Sequence, residues 1–177
     1  MTPMHRVILL TFALSLAAFP QPRFADYPAT ESFQGTPAPP ILATPEQRNY
    51  RTRIRNGVAK GEGVWTGSWR NPIPHKTPNF AGHYFVIRWG CGSDCLMMAV
   101  VDAKTGKVHG SPLPGPSIGF VLEMDPLTDR EIEFQPDSRL MILRNACRTA
   151  RSECGVYYFH LTDGQFHRLT TSRSKPQ

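Results

Sequence analysis

Two stretches decide the fold of this chain: Tyr84-Phe85-Val86-Ile87-Arg88-Trp89-Gly90-Cys91 and Leu140-Met141-Ile142-Leu143-Arg144-Asn145-Ala146-Cys147. The second lies 56 positions after the first (140 − 84 and 147 − 91), with an arginine and a cysteine in register. After each come a polar loop, a second cysteine (Cys95 or Cys154), an apolar run and a turn rich in Asp and Gly. We therefore predict one β unit present twice, at about residues 80–113 and 134–170.

Further apolar runs predict additional strands at Met97–Val101, Ile118–Met124, Glu131–Phe134 and Val156–Leu161. The Asp- and Gly-containing turns suit hairpins, because glycine accepts the positive φ that their last position needs. Two units cannot close a propeller, which needs about four blades. The expected fold is therefore mainly β, an antiparallel meander sandwich or small open barrel, with one N-terminal helix.

The helix is predicted to begin after Thr44, which starts a Thr-x-x-Gln capping box ahead of Pro45. Its apolar stripe consists of Tyr50, Ile54 and Val58. Its arginines fall mostly off that stripe, at Arg48, Arg51, Arg53 and Arg55, and the helix should end at Gly57 or Gly61.

The amino-terminal region predicts export. Residues 1–25 combine a weakly basic start with an apolar stretch too short to span a bilayer, as in a secretory signal peptide. Residues 26–43 predict a flexible Pro-rich linker, 44–170 a single β-rich domain, and 171–177 a disordered tail. We expect a periplasmic or secreted protein with no stable membrane span after signal cleavage.

The net charge is modest. It is +6 for the chain and +4 once Arg6 and Arg23 are removed with the signal, which contains no acidic residue. The basic residues are scattered rather than clustered with aromatics on one surface, which argues against nucleic acid as a partner. A weak attraction to anionic envelope components is compatible with this charge.

Four cysteines in an oxidising compartment predict two disulfides. Pairing within units gives Cys91–Cys95 and Cys147–Cys154, whereas pairing across units gives Cys91–Cys147 and Cys95–Cys154. Loop entropy favours the longer rings, at about 4 against about 2 kcal/mol. Pairing within units is still favoured, because a loop that joins sequential strands brings its own two cysteines together. The sequence does not decide between the two pairings.

Chemistry at the cysteines or histidines has little sequence support. Cys91-Gly92-Ser93-Asp94-Cys95 is one residue longer than a C-x-x-C redox motif and has no following helix to lower a thiol pKa. The histidines lack metal-ligand spacing: His75, His83, His109, His160 and His167. Two of them, His160 and His167, flank the second turn and suit a cross-strand pair. The sequence identifies no catalytic residue, no metal site and no cofactor.

Three motifs together resemble those of a group of small secreted bacterial proteins. They are Asn79-Phe80-Ala81-Gly82-His83-Tyr84, Trp89-Gly90-Cys91-Gly92-x-x-Cys95 and Asp102-x-x-Thr105-Gly106-x-Val108. Residues 134–170 resemble one blade of the Tol-type β-propeller repeats. The resemblance covers about half the chain. It implies a secreted β-rich protein and supplies no catalytic residues.

Matching positions just before the cysteine loops suggest a binding edge. A rim braced by disulfides would form from Arg88 with Trp89 and from Arg144 with Asn145. Arg148 in the second loop would extend this rim. A second contact region would be Trp65 with Trp69. The alternative is that Trp89 is core and the arginines are surface charges. We expect a non-enzymatic protein that binds another protein or an envelope polymer. The alternative function is an envelope thiol-redox enzyme using Cys91 and Cys95.

Overall fold

The computed structural model describes residues 21–67, 71–92, 95–110, 112, 132–147 and 154–169. The chain forms two short helices and nine strands in these ranges: α1 (Pro45–Asn49), α2 (Arg51–Lys60), β1 (Trp65–Gly67), β2 (Pro72–Pro74), β3 (Tyr84–Gly92), β4 (Cys95–Asp102), β5 (Val108–His109), β6 (Ile132–Phe134), β7 (Leu140–Cys147), β8 (Cys154–Thr162) and β9 (Gln165–Leu169). A single 3-10 turn, Phe24–Asp26, precedes them.

Both predicted units form antiparallel hairpins with a third strand. The first gives the sheet β3-β4-β5, the second gives β6-β7-β8-β9, and β1-β2 is a separate two-stranded hairpin. The mainly β fold expected from the sequence is confirmed, and the sheets are open, without closure into a barrel. The predicted strand Ile118–Met124 lies outside the described residues.

The alternation of side chains along β3 gives the domain its layers. Tyr84 and Val86 lie in a core cluster with residues of β6, β7 and β8, so the two larger sheets pack face to face. Phe85, Ile87 and Trp89 lie in a second cluster with Ile54 and Val58 of α2. Because both faces are covered, β3 is a continuous apolar run rather than an alternating one.

The helix prediction is confirmed at both ends. Thr44 Oγ1 accepts from Gln47 N at 3.1 Å, and the Gln47 side chain accepts from Thr44 N at 3.3 Å. Gly61 ends α2 in the left-handed conformation, with φ of 77°. The helix is divided at Tyr50, which separates α1 from α2.

Residues 26–43, predicted as a flexible linker, instead lie as an extended strap along both sheets. Ala29 N donates to Asp137 O at 2.7 Å, and Ile41 N donates to Gly106 O at 2.8 Å. Gly82 and Gly106 make room for the strap, because a Cβ on either would overlap a strap carbonyl, that of Glu31 or Pro39. Composition predicts a flexible segment here because the strap has few apolar side chains and many prolines. Its ordered position depends on backbone hydrogen bonds, which composition does not reveal.

Candidate functional site

The predicted binding rim is buried at its first two residues. Arg88 is 4% exposed and Trp89 is 7% exposed. The Arg88 guanidinium carbon lies 3.2 Å from the centroid of the Trp65 ring, and its Nη2 donates to Trp65 O at 2.6 Å. These contacts hold the β1-β2 hairpin against the sandwich, so Arg88 and Trp89 are not presented to a partner as predicted, and the alternative placing Trp89 in the core describes it better.

The second half of the rim is only partly described. Arg144 forms an ion pair with Glu133, its neighbour across β6 and β7. Arg148, Trp69 and the side chain of Asn145 lie outside the described residues.

A cleft forms where the turns of the two sheets approach each other and the strap. It has a volume of about 520 Å³, which is within the usual range of about 300–1,000 Å³ for small-molecule sites. It is lined by Ile41, Ala43, Tyr84, Asp102, Thr105, Lys107, Val108, His109, Asp163 and Gly164. Strap, first sheet and second sheet therefore all contribute to one cavity.

Tyr84 forms the floor of the cleft. Its side chain is 7% exposed, with the ring held between His83 (centroids 4.2 Å apart) and His109 (5.8 Å, edge-on). Burial, reinforced by the nearby carboxylates Asp102 and Glu31, raises the pKa of the Tyr84 hydroxyl to about 12, so the hydroxyl stays protonated. Among the described residues no hydrogen bond engages that hydroxyl.

His109 joins the two sheets beside Tyr84. It ends β5, and its ring lies directly over Gly164 in the β8-β9 turn, where a Cβ would come 2.6 Å from His109 Cε1. Burial lowers the pKa of His109, and Lys107 lowers it further. Asp102 and a hydrogen bond with the Gly164 backbone oppose this shift, and the neutral imidazole lies edge-on to the Tyr84 ring at neutral pH.

The turn below the cleft is fixed by Asp102. Asp102 Oδ1 accepts from Lys104 N and Asp102 Oδ2 accepts from Thr105 Oγ1, each at 2.8 Å. Both carboxylate oxygens are thus engaged in holding the turn. This leaves Asp102 as a scaffold for the cleft rather than a free acid or base.

The rim and wall differ in chemistry from the floor. Lys107 and Asp163 are exposed and bring one positive and one negative charge to the opening. Ile41 is 60% exposed and, with Ala43 and Val108, gives the wall an apolar surface. The cleft therefore offers two neutral hydroxyl- or imidazole-type groups, two charges and an apolar wall.

Behind the floor, a small ionic cluster fixes the strap. Glu31 pairs with Lys104, and its Oε1 lies 3.3 Å from His83 Nδ1. Burial lowers the pKa of His83, although Asp102 and Glu31 oppose the shift. The second cavity of about 520 Å³ lies beside this cluster, and its carboxylate Glu31 is already paired, so the Tyr84 cleft is the stronger candidate site.

The cleft residues do not form a metal centre. Within the described ranges, no three His, Cys, Asp or Glu side chains converge as metal ligands. The one predicted histidine contact that is confirmed lies elsewhere: His160 and His167 are opposite each other on β8 and β9, with ring centroids 5.2 Å apart. In the described part of the chain, no helix is long and apolar enough to cross a membrane.

The cleft is not among the sites predicted from the sequence. Sequence patterns assign Tyr84 to a strand and His109 to the solvent or the core, because neither residue stands in a spacing that marks chemistry. The available signal was indirect, namely that both units end in turns of the same kind. Turns on two facing sheets meet at one edge of a sandwich, which brings Lys107 and Asp163 to the same opening.

Comparison of the chain with protein-family models, curated proteins and solved structures finds no match in any of the three.

Proposed function

We propose that this is a periplasmic or secreted, non-enzymatic binding protein, and that the Tyr84 cleft holds a small hydroxyl-bearing ligand such as a sugar unit of an envelope polymer. The observation that carries the proposal is the Tyr84 hydroxyl. Its side chain is more than nine-tenths buried at the cleft floor, it stays protonated, and the described residues leave it unbonded. The hydroxyl is not among the buried unpaired atoms of the described residues, so water reaches it in the cleft, and exchanging that water for a ligand hydroxyl contributes about 0.5–1.5 kcal/mol, the net value of a typical hydrogen bond.

The lining favours hydroxyl groups over ions. A sugar hydroxyl donates one hydrogen bond and accepts others, which matches the amphoteric Tyr84 and His109 side by side. Lys107 adds a donor and Asp163 an acceptor at the rim. The apolar wall at Ile41 and Val108 suits the carbon face of a ring. The rim charges of Lys107 and Asp163 oppose each other, and the Asp102 carboxylate is occupied by two hydrogen bonds within its turn, so the lining does not select strongly for an anion or a cation.

Binding is also favoured over catalysis by what the cleft residues already do. Asp102 is committed to its turn by two hydrogen bonds. The remaining groups, Tyr84 and His109, are neutral at pH 7 and adjoin no serine or cysteine in the cleft lining. The Thr105 hydroxyl also lines the cleft, but it donates to Asp102 within the turn, and among the described residues no hydrogen bond joins it to a histidine of the lining, as the base of a nucleophile would require.

Two disulfides are proposed as structural staples, paired within units. Cys91, whose side chain the structure describes, is disulfide-bonded. Cys147 and Cys154 are direct cross-strand partners on β7 and β8, at a spacing of about 4.5–5.5 Å that suits a disulfide. Gly92 is opposite Cys95, which places Cys91 and Cys95 at one hairpin end. Pairing across units would have to bridge facing sheets about 10 Å apart.

The thiol-redox alternative gains no support from the local structure. The residue after Cys95 continues into β4, so no helix N-terminus follows to lower a thiol pKa.

The test is a binding titration of the mature protein by calorimetry, using glucose, N-acetylglucosamine and glycerol as probes and comparing wild type with Tyr84→Phe. The variant removes the hydroxyl and keeps the ring, so it should fold normally. We expect at least one sugar to bind, and Tyr84→Phe to weaken it about tenfold, the equivalent of about 1.4 kcal/mol. Equal affinities for the two proteins, or no sugar binding to either, would refute the proposal.

A further inference from the structure

Helix α2 exposes a basic face that packs on nothing within the described residues. Arg51, Arg53, Arg55 and Lys60 are all exposed, and α2 contains no acidic residue. Its one ion pair in the described part of the chain is the exposed Lys60–Glu62 pair, at 3.9 Å. Ile54, Gly57 and Val58 anchor the opposite face to the sheet, so the basic side is held on a rigid support.

The basic residues divide into two flanks. With about 100° per residue, Arg55 lies about 40° around the helix from Arg51, whereas Arg53 and Lys60 lie about 160–180° away. Arg48 of α1 extends the first flank, since Arg51 Nη1 donates to Arg48 O at 3.4 Å. We call Arg48, Arg51 and Arg55 the arginine flank. Arg51 and Arg55 are about 6 Å apart along the axis.

The arginine flank begins at the wall of the cleft. Arg48 Nη1 donates to Leu42 O at 3.3 Å and to Ala43 O at 3.0 Å, and Ala43 lines the cleft. Gln47 Nε2 donates to Val108 O at 3.2 Å, which ties α1 to the strand that borders the same cavity. Lys107, at the cleft rim, continues the positive charge toward the opening.

We propose that the arginine flank is a docking surface for an anionic polysaccharide, one carrying carboxylate or phosphate groups along its chain. Guanidinium groups bind carboxylate and phosphate through paired N–H donors, and the exposed Arg51 and Arg55, one turn apart on the same side of α2, offer two of them to successive anions of a chain. The exposed residues of α2 include no large apolar side chain, only Thr52 and Ala59 between the two flanks, which disfavours insertion into a lipid surface. The proposal goes beyond the cleft and does not require a sugar in it.

The test compares two charge-matched double variants of the full mature protein. Arg51→Glu with Arg55→Glu removes the arginine flank, while Arg53→Glu with Lys60→Glu makes the same four-unit change in net charge on the other flank of the same helix. Binding to immobilised polygalacturonate is measured at low and moderate salt, with neutral dextran as the blank and phosphatidylglycerol vesicles as the competing surface. Circular dichroism and urea unfolding check that both variants fold.

We expect wild type to bind polygalacturonate, with affinity falling as salt rises, and the arginine-flank variant to lose about tenfold or more. The matched variant should lose about threefold or less. Equal losses would show attraction to overall charge alone and would overturn the proposal. So would absence of binding at low salt, or binding to vesicles in preference to the polymer. The arginine-flank variant should bind N-acetylglucosamine as wild type does, since Arg51 and Arg55 do not line the cleft, and this separates the result from that of the cleft.

Discussion

Replacing Asn79 by alanine should strongly destabilise the domain. Asn79 is fully buried, and its side chain pairs with the backbone of Val86 as a neighbouring strand would. Its Oδ1 accepts from Val86 N at 2.7 Å, and its Nδ2 donates to Val86 O at 3.2 Å. A third, longer hydrogen bond runs from Nδ2 to Trp65 O at 3.4 Å. One side chain thus satisfies both backbone groups of Val86 on the outer edge of β3.

The magnitude follows from the groups left behind. Val86 is 0% exposed, so its N–H and C=O would both lose their partner without access to water. Each unsatisfied buried group costs about 1–3 kcal/mol, which gives about 2–6 kcal/mol for Asn79→Ala. For a mature domain of about 150 residues, each kcal/mol lowers the Tm by about 2–4 °C, so a loss of about 3 kcal/mol lowers it by about 6–12 °C.

The assay is urea unfolding of the mature, non-reduced protein, with Asn56→Ala as the matched control. Asn56 also donates through its amide, to Glu62 Oε2 at 2.9 Å, but that hydrogen bond is exposed. The control should lie within about 0.5 kcal/mol of wild type. If Asn79→Ala also stays within that range, the reasoning that a buried amide closes the edge of β3 is refuted.

Three further predictions concern the cleft and the helix. Gly164→Ala should destabilise the domain by about 1–3 kcal/mol and weaken ligand binding, because Gly164 has φ of 71° and the Cβ of alanine would displace His109. Unchanged stability in urea unfolding and unchanged binding in calorimetry would contradict this prediction. Gly57→Ala gains about 1 kcal/mol of helix propensity, but its new Cβ would lie 2.6–2.8 Å from three atoms of the buried Ile87. We therefore expect the free energy of unfolding to fall by up to about 2 kcal/mol. A stabilised protein would instead show that α2 can move off the sheet. Burial lowers the pKa values of His83 and His109 in the folded state, so their contribution to the free energy of unfolding is fully present above the unfolded pKa of 6.5 and is lost as pH falls below it. Urea midpoints should therefore drop between about pH 7.5 and 5. A flat profile would contradict the burial of these rings.

The layers of the fold were predictable because they depend on local patterns. The apolar runs at Tyr84 and Leu140 and the glycine-bearing turns predict hairpins, and the capping box at Thr44 predicts the start of the helix. Each of these signals lies within a few residues of the structure it determines.

The strap and the cleft were not predictable in the same way. The strap is held by backbone hydrogen bonds, such as Ala38 N to Ala103 O at 2.8 Å, and backbone groups leave no trace in composition. The cleft joins Ile41, Tyr84 and Asp163, which are far apart in sequence and meet only when the sheets pack. Arg88 was misjudged because a buried arginine needs a specific acceptor and ring, here both supplied by Trp65, 23 positions earlier.

The most direct test of the central claim is a nuclear magnetic resonance titration of the ¹⁵N-labelled mature protein with N-acetylglucosamine and glucose. We expect saturable amide shifts to concentrate at Lys107–His109, at Asp163–Gly164 and around Ile41, and to be much reduced in Tyr84→Phe. Shifts that are absent, that fall elsewhere on the sheets, or that persist unchanged in Tyr84→Phe would contradict the assignment of the cleft as the binding site.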